Sequence, residues 1–330
     1  MTGNHKKFSI VMCFRDTPME RKFALKSIPS AIALNPTEFI IGIDEPSSSD
    51  LENYIRNICK STHLKNVRLI RVPVSSDWNF QLAHTIWECY RACTYDKVLA
   101  FDVDTEIRKT VMLGYDIIGT DNIAVVSFTK RLLTKTVRDR ARYAAYRMRV
   151  RAASYVFAGI YWVYKPFYFA NVKKTELQKI RNGIDTYMAQ AIMDKKTHRI
   201  VTRKEIGVSC MDYENEDYPW RQFADGIWFF ANKEIMANWE TNTRQGDTGL
   251  VRRSIIHPLK RRHPFLFIVL RSIIYHYPLY ISGWQWASKH QESEAVTAAR
   301  RITYFEWGAY ESSKHIKKIK QFDGGQTGLA

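Results

Sequence analysis

Asp102-Val-Asp104 is the group of side chains best suited to chemistry in this chain of 330 residues. It follows Val98-Leu-Ala-Phe101, a run too short and too uniformly apolar to be anything but a buried strand. Two carboxylates two positions apart at the carboxyl end of such a strand can both approach one hard cation, directly or through water. Ligands bind at that end of a parallel sheet. A divalent ion held there would neutralise a diphosphate and assist its departure. The alternative is a solvated acidic turn after a strand.

The elements that must position this pair are legible on either side of it. Phe8 to Phe14, Glu38 to Ile43 and Val67 to Val72 are short apolar runs. They alternate with the amphipathic stretches Met19 to Leu34 and Asp50 to Cys59. Strand, helix, strand, helix, strand is the pattern of a parallel sheet covered by crossover helices. Asp77 is expected to cap the next helix, in which Leu82, Ile86, Tyr90 and Cys93 recur at spacings of three to four as one buried stripe. Ile123 to Phe128 and Arg199 to Thr202 read as further strands, and Asp185 to Met193 as a short helix.

Composition narrows the class. The chain is 45% hydrophobic and 25% charged, which excludes a disordered tail or a collagen-like fibre. Its formal charge of +17 points to a polyanion, a phosphorylated ligand or an anionic membrane surface as a neighbour. Cys13, Cys59, Cys89, Cys93 and Cys210 form no C-x-x-C pair, so neither a zinc ribbon nor a disulfide framework is indicated. The apolar run near the amino terminus, Phe8 to Phe14, is too short for a signal peptide or a span. A cytoplasmic protein, peripheral at the cytoplasmic face of a membrane, is the expectation.

These parts, in this order, resemble the nucleotide-sugar glycosyltransferases of the GT-A fold, in particular the large inverting family 2, over residues 7 to 235. The resemblance implies an α/β fold with a Rossmann-like, mostly parallel sheet flanked by helices. It also implies a nucleoside-diphosphate sugar donor, a hydroxyl acceptor on a glycan, lipid or protein, and Mn2+ or Mg2+ as cofactor. Asp44, with Glu45 beside it, corresponds to the carboxylate that meets the nucleoside, and Asp102 and Asp104 to the metal and diphosphate pair. Asp185 corresponds to the general base that takes the acceptor hydroxyl proton, a role any such reaction requires because an unactivated hydroxyl is a poor nucleophile. As alternatives, Asp44 is a turn residue in Asp-Glu-Pro-Ser-Ser and Asp185 a helix cap. Arg244 to Arg253 resembles the mobile loop that closes over the diphosphate, with Arg252 and Arg253 on phosphate, and His257 is a candidate third metal ligand.

The chain departs from the family where Cys13-Phe14-Arg15-Asp16 replaces Pro-x-Tyr-Asn after the first strand. Leu82-Ala-His84-Thr85 stands where Ala-Arg-Asn is usual, and Ile184 precedes Asp185 in place of Glu. These changes leave the base and sugar of the donor open.

Residues 130 to 174 hold twelve Lys or Arg against the single acid Asp139. This stretch is read as a patch for anionic headgroups or a phosphorylated acceptor, or as a solvated basic surface. Residues 236 to 330 are expected to form a loop and a mainly helical extension. Its apolar segment Pro264 to Ala287 contains Arg271, His276 and Pro278, which argues against a span and for an interfacial segment or a core helix pair. A basic, aromatic nucleic-acid-binding protein is the competing class. No recognition-helix or RNA-binding signature supports it, and it leaves Asp102 and Asp104 unexplained. A nucleotidyltransferase would need a glycine in Phe14-Arg-Asp-Thr-Pro18, and a catalytically inactive membrane scaffold is the remaining alternative.

Overall fold

The structure, a computed structural model, describes residues 6–16, 18–44, 47–48, 50–60, 66–120, 122–128, 131–132, 140, 159–180, 197–201, 207–209, 218–231, 261–266, 269–270, 277–291 and 294. The first four strands are β1 (Ser9–Phe14), β2 (Glu38–Asp44), β3 (Val67–Val72) and β4 (Lys97–Phe101), joined by α1 (Pro18–Ile32), α2 (Leu51–Lys60) and α3 (Gln81–Ala92). After β4 come β5 (Thr105–Ile107), a tight turn into α4 (Leu113–Ile117), β6 (Val125–Phe128), β7 (Arg131–Leu132) and β8 (Ile160–Tyr164). Then follow α5 (Lys165–Asn171), α6 (Lys174–Lys179), β9 (His198–Val201), β10 (Gly207–Ser209), α7 (Tyr218–Ala231) and α8 (Tyr277–Ser288).

The main sheet has the order β3-β2-β1-β4-β8-β6-β9 and is parallel except for β8, which runs against both β4 and β6. This is the mostly parallel α/β sheet expected, with the aromatic-rich β8 as its one reversed strand. A second, small sheet pairs β5, β10 and β7. Alternation along the strands divides the core into two layers. Ile10, Met12 and Phe14 of β1 pack with Ala24 and Ile28 of α1 and Ile55 of α2, whereas Val11 packs with Ala83, Cys89 and Tyr90 of α3. Helices therefore cover both faces, and every residue of β2 is buried.

Two expectations about α3 are corrected. The helix begins at Gln81 with Phe80 as its cap residue and no capping side chain, so Asp77 does not cap it and lies instead in the preceding turn. Its buried face is Ala83, Thr85, Trp87, Cys89 and Tyr90, while Leu82 and Ile86 are only partly covered. The cause is that α3 is apolar on more than one side. It meets the sheet through Ala83 and Cys89, and it meets the later helices through Trp87, whose ring packs edge-on against Phe169 at 5.0 Å.

Helices α7 and α8 pack closely because each offers a glycine at the crossing. A Cβ on Gly283 would lie 2.0 Å from the Phe223 carbonyl oxygen, and one on Gly226 would lie 2.1 Å from that of Tyr280. Gly283→Ala is therefore expected to force the helices apart and to destabilise the protein by about 1–3 kcal/mol. Thermal unfolding followed by tryptophan fluorescence measures this, and an unchanged midpoint would refute the close packing. No helix among the described residues is long and apolar enough to cross a membrane.

Candidate active site

The strand order places the site. The chain moves outward from β1 to β2 and β3, then returns to the other side of β1 with β4, so the crevice where order reverses opens beyond the carboxyl ends of β1 and β4. Those ends are Phe14-Arg15-Asp16 and Asp102-Val-Asp104, and Asp44 ends the neighbouring β2. The structure thus brings Asp44, Asp102 and Asp104 to one edge of one sheet, and adds Arg15, which the sequence reading had noted only as a departure.

The turn bearing the carboxylate pair is clamped on both sides. Asp102 N–H donates to the Gly159 carbonyl at 2.9 Å, and Thr105 N–H donates to the Asp102 carbonyl at 3.0 Å. Gly159 has φ +70°, a conformation that favours glycine. Beyond the turn, β5 is held antiparallel to β10, and Ile107 N–H donates to Ser30 Oγ at 3.0 Å. Within the turn the two acids differ. Asp102 is exposed, whereas Asp104 is buried and accepts the Thr105 hydroxyl at 2.9 Å.

Asp44 is a strongly perturbed acid. It is 4% exposed and neither Oδ atom has a hydrogen-bond partner. Burial drives its pKa up to about 7, against the opposing pull of the Thr85 hydroxyl and the Arg15 guanidinium, with Glu20 adding to the rise. Gly42, two residues earlier on the same face, makes this possible. A Cβ there would meet Cys89 Sγ at 2.4 Å and Thr85 Cγ2 at 2.6 Å, so only glycine lets α3 come down far enough to face Asp44. Thr85 Oγ1 is likewise buried, facing the Asp44 carboxyl closely enough to oppose its shift but without completing a hydrogen bond to it. Two buried acceptor oxygens and a hydroxyl awaiting partners are a place where a ligand's N–H or O–H groups would be taken up. Cys13 lies beside them. Its contact with the Cys89 thiol and its burial raise its pKa well above that of an ordinary thiol, which argues against a nucleophilic role.

The loop that follows Asp44 is fastened by two arginines. Arg21 bonds Asp16 at 2.7 Å, Asp50 at 3.0 Å and the Ser48 hydroxyl at 2.8 Å, and Arg71 reaches the Ser48 carbonyl at 2.9 Å while pairing with Glu52 at 2.6 Å. Ser48 also donates to Asp16, through N–H at 2.8 Å and through its hydroxyl. Burial alone would raise the Asp16 carboxyl, but hydrogen bonds from Arg21 and Ser48 hold it below the usual range.

Arg15 is held by Glu20 in the first turn of α1, whose carboxylate accepts the Arg15 backbone N–H at 2.6 Å and Nε at 2.8 Å. Burial raises the Glu20 pKa, with Arg15 opposing the shift and Asp104 adding to it. An Arg immediately after the first strand, followed five residues later by an acid in the helix, was the available signal for this pair. Glu20→Ala would take the acceptor from the half-buried Arg15 backbone N–H and Nε and is expected to cost about 2 kcal/mol of stability, while Glu20→Gln keeps an acceptor and is expected to cost less than half of that. Urea unfolding of both variants separates these outcomes. Equal losses would show that charge rather than hydrogen bonding holds Arg15.

Other expected site residues lie outside the described residues: Glu45, Asp185, Arg252, Arg253, His257 and, in the basic stretch 130–174, Arg138, Arg142, Arg147, Arg149 and Arg151. Among the described residues no group of three or more His, Cys, Asp or Glu is arranged to hold a metal ion, so Asp102 and Asp104 stand as a pair.

No family model matches the chain, and no curated protein does. Solved structures do. One is a glucosyl-3-phosphoglycerate synthase from Mycobacterium tuberculosis in complex with Mn2+, UDP-glucose and phosphoglyceric acid, at 15% identity and TM-score 0.41, covering 61% of this chain and 71% of that one. Another is the mannosyltransferase PcManGT from Pyrobaculum calidifontis in complex with GDP-Man and Mn2+, at 11% identity and TM-score 0.48, covering 91% and 87%. A third is a 4-diphosphocytidyl-2C-methyl-D-erythritol synthase from Anaerococcus prevotii, at 12% identity and TM-score 0.41, covering 60% and 89%. Likenesses this distant assign no activity, and the function of this chain rests on its own residues.

Proposed function

We propose that this chain is a glycosyltransferase that moves a sugar from a nucleoside-diphosphate donor to a hydroxyl on a glycan, lipid or protein acceptor, with inversion. The observation that carries the reading is the convergence of Asp44, Asp102, Asp104 and Arg15 at the carboxyl ends of three neighbouring strands, around the point where strand order reverses. Asp44 and Thr85 offer unfilled hydrogen-bonding atoms to the nucleoside, and Arg15, held by Glu20, brings positive charge to the same crevice.

The carboxylate pair fits a hard divalent cation, Mn2+ or Mg2+, because such ions take one or two carboxylates and complete their shell with phosphate and water. When bound, that cation supplies charge neutralisation for the departing diphosphate. Asp102, exposed, faces ligand directly, while the Thr105 hydroxyl orients Asp104 behind it. The reaction is a single displacement. The acceptor oxygen forms a bond to the anomeric carbon as the bond from that carbon to the diphosphate oxygen breaks, and the acceptor proton passes to a base. Asp185 is the proposed base. The arginines of the 244–253 loop would steady the diphosphate, and His257 would add a third metal ligand.

The test of the base is Asp185→Asn in the full-length protein. Transfer is expected to fall by about 10²–10⁴-fold while donor affinity, read by thermal shift with a nucleoside diphosphate and manganese, stays within about twofold. Turnover at the wild-type rate would remove Asp185 from the mechanism.

A further inference from the structure

A second cationic stretch lies in the last third of the chain. From Thr248 to Gln291 there is not one Asp or Glu, against seven Lys or Arg. Within this stretch Arg261, Arg262 and His263 are exposed, with helical backbone at 261–262, 264–266 and 269–270. Directly after them Phe265 is 79% exposed, Leu266 46% and Leu270 41%. They are three of the six exposed large hydrophobic residues among the described ones. The other three, Leu25, Val74 and Leu113, stand singly in separate parts of the sequence.

Scattered apolar residues on a surface need no explanation, but a cluster next to a cationic run does. A nucleic acid would use the cations and leave the leucines in water. An anionic bilayer uses both, since headgroups attract Arg while Phe and Leu enter the boundary of the acyl region. Helix α8 has no charged residue from Tyr277 to Ser288, but its Trp284 and Trp286 pack on Phe230 and Phe223 of α7 and so are no part of this surface. It cannot span, as no described helix can.

We propose that residues 261–266 and 269–270 form a docking surface for an anionic lipid bilayer, with Arg261 and Arg262 on the headgroups and Phe265, Leu266 and Leu270 inserted beneath them. The reading does not depend on catalysis.

The test is co-sedimentation of the full-length protein with vesicles of phosphatidylcholine containing a third phosphatidylserine, beside vesicles of phosphatidylcholine alone. The anionic vesicles should take up the protein far better, and added salt should weaken the binding. Arg261→Glu with Arg262→Glu should lower partitioning by about 30-fold or more. Phe265→Ser with Leu266→Ser should lower it by about tenfold, with the thermal midpoint unchanged because these side chains are already exposed. Asp104→Asn should bind vesicles as the wild type does, so a failed donor site and a failed membrane surface are told apart. Equal uptake by both vesicle types, or none by either, would overturn the proposal. So would vesicle binding indifferent to Phe265→Ser with Leu266→Ser but competed away by single-stranded RNA, or a dimer that this same double substitution converts to monomer in protein that ignores vesicles.

Discussion

Asp44→Asn protein without ligand is expected to be more stable than the wild type above about pH 8, and to lose that advantage below about pH 4. The carboxyl group of Asp44 has its pKa raised to about 7 by burial, far above the ordinary aspartate value of 3.8. Below the unfolded value it is neutral in both folded and unfolded chains and costs nothing. As pH rises from there, the unfolded chain ionises first, so the folded state loses stability until pH passes the folded value near 7, after which the loss is constant. A shift of this size is worth roughly 4 kcal/mol as an upper bound, and since the new amide is also without a partner, the net gain on substitution is expected on the order of 2 kcal/mol. The same variant should lose most of its affinity for a nucleoside diphosphate, because one of the two acceptor oxygens offered to the ligand becomes an NH2 group that can only donate. Thermal unfolding at several pH values, with and without a panel of nucleoside diphosphates, reads both effects. A stability difference independent of pH would show that Asp44 is not a buried acid, and unchanged nucleotide binding would take it out of the donor site. The trade of stability for an unfilled buried carboxylate is itself a reason to regard Asp44 as functional rather than as a turn residue.

Asp104→Asn should abolish the metal-dependent part of donor binding without unfolding the protein. The amide oxygen can still accept the Thr105 hydroxyl, so the turn after β4 keeps its local bond, while one of the two formal charges offered to a cation is removed. For the wild type, a nucleoside-diphosphate sugar with manganese at about one hundred times its dissociation constant adds about 2.7 kcal/mol, which for a chain of this length raises the unfolding midpoint by about 4 °C. In the variant that increment is expected to vanish, and sugar transfer to fall by about 10²–10³-fold. Retention of the full manganese-dependent increment would place the cation elsewhere and remove the main support for the proposed reaction. Because Asp102 is exposed and Asp104 buried, Asp102→Asn is expected to disturb folding even less while weakening the manganese-dependent increment in the same way.

Much of the scaffold was readable before any coordinates. The runs Glu38 to Ile43 and Val98 to Phe101 are strands within a residue of their expected limits, because a strand buried on both faces is almost continuously apolar, while Val67 to Val72, broken by Arg68 and Arg71, is the half-exposed edge strand β3. Asp102 and Asp104 stand just past β4 as expected, since their position depends only on where that run stops. Orientation was not readable. Ile160 to Tyr164 is as apolar as the strands around it, and nothing local records that it runs the other way. The face of α3 was misjudged for a related reason: with Leu82, Ile86, Trp87 and Tyr90 all apolar, periodicity admits more than one stripe, and only packing against both the sheet and Phe169 selects among them.

The sequence by itself determined the kind of fold and the identity of the acids at the strand ends, because burial, period and strand length are local properties of the chain. Which acids share a crevice was decided by tertiary structure alone. The return of β4 to the far side of β1 brings Arg15, Asp44 and Asp104 to one edge, and contact with Glu20 aims the arginine. The approach of α3 over Gly42 leaves Asp44 buried, faced by Thr85 and without a hydrogen-bond partner. Desolvation is set by every neighbour at once, so no spacing along the chain could have shown that the Asp44 carboxyl would be pushed up to about 7.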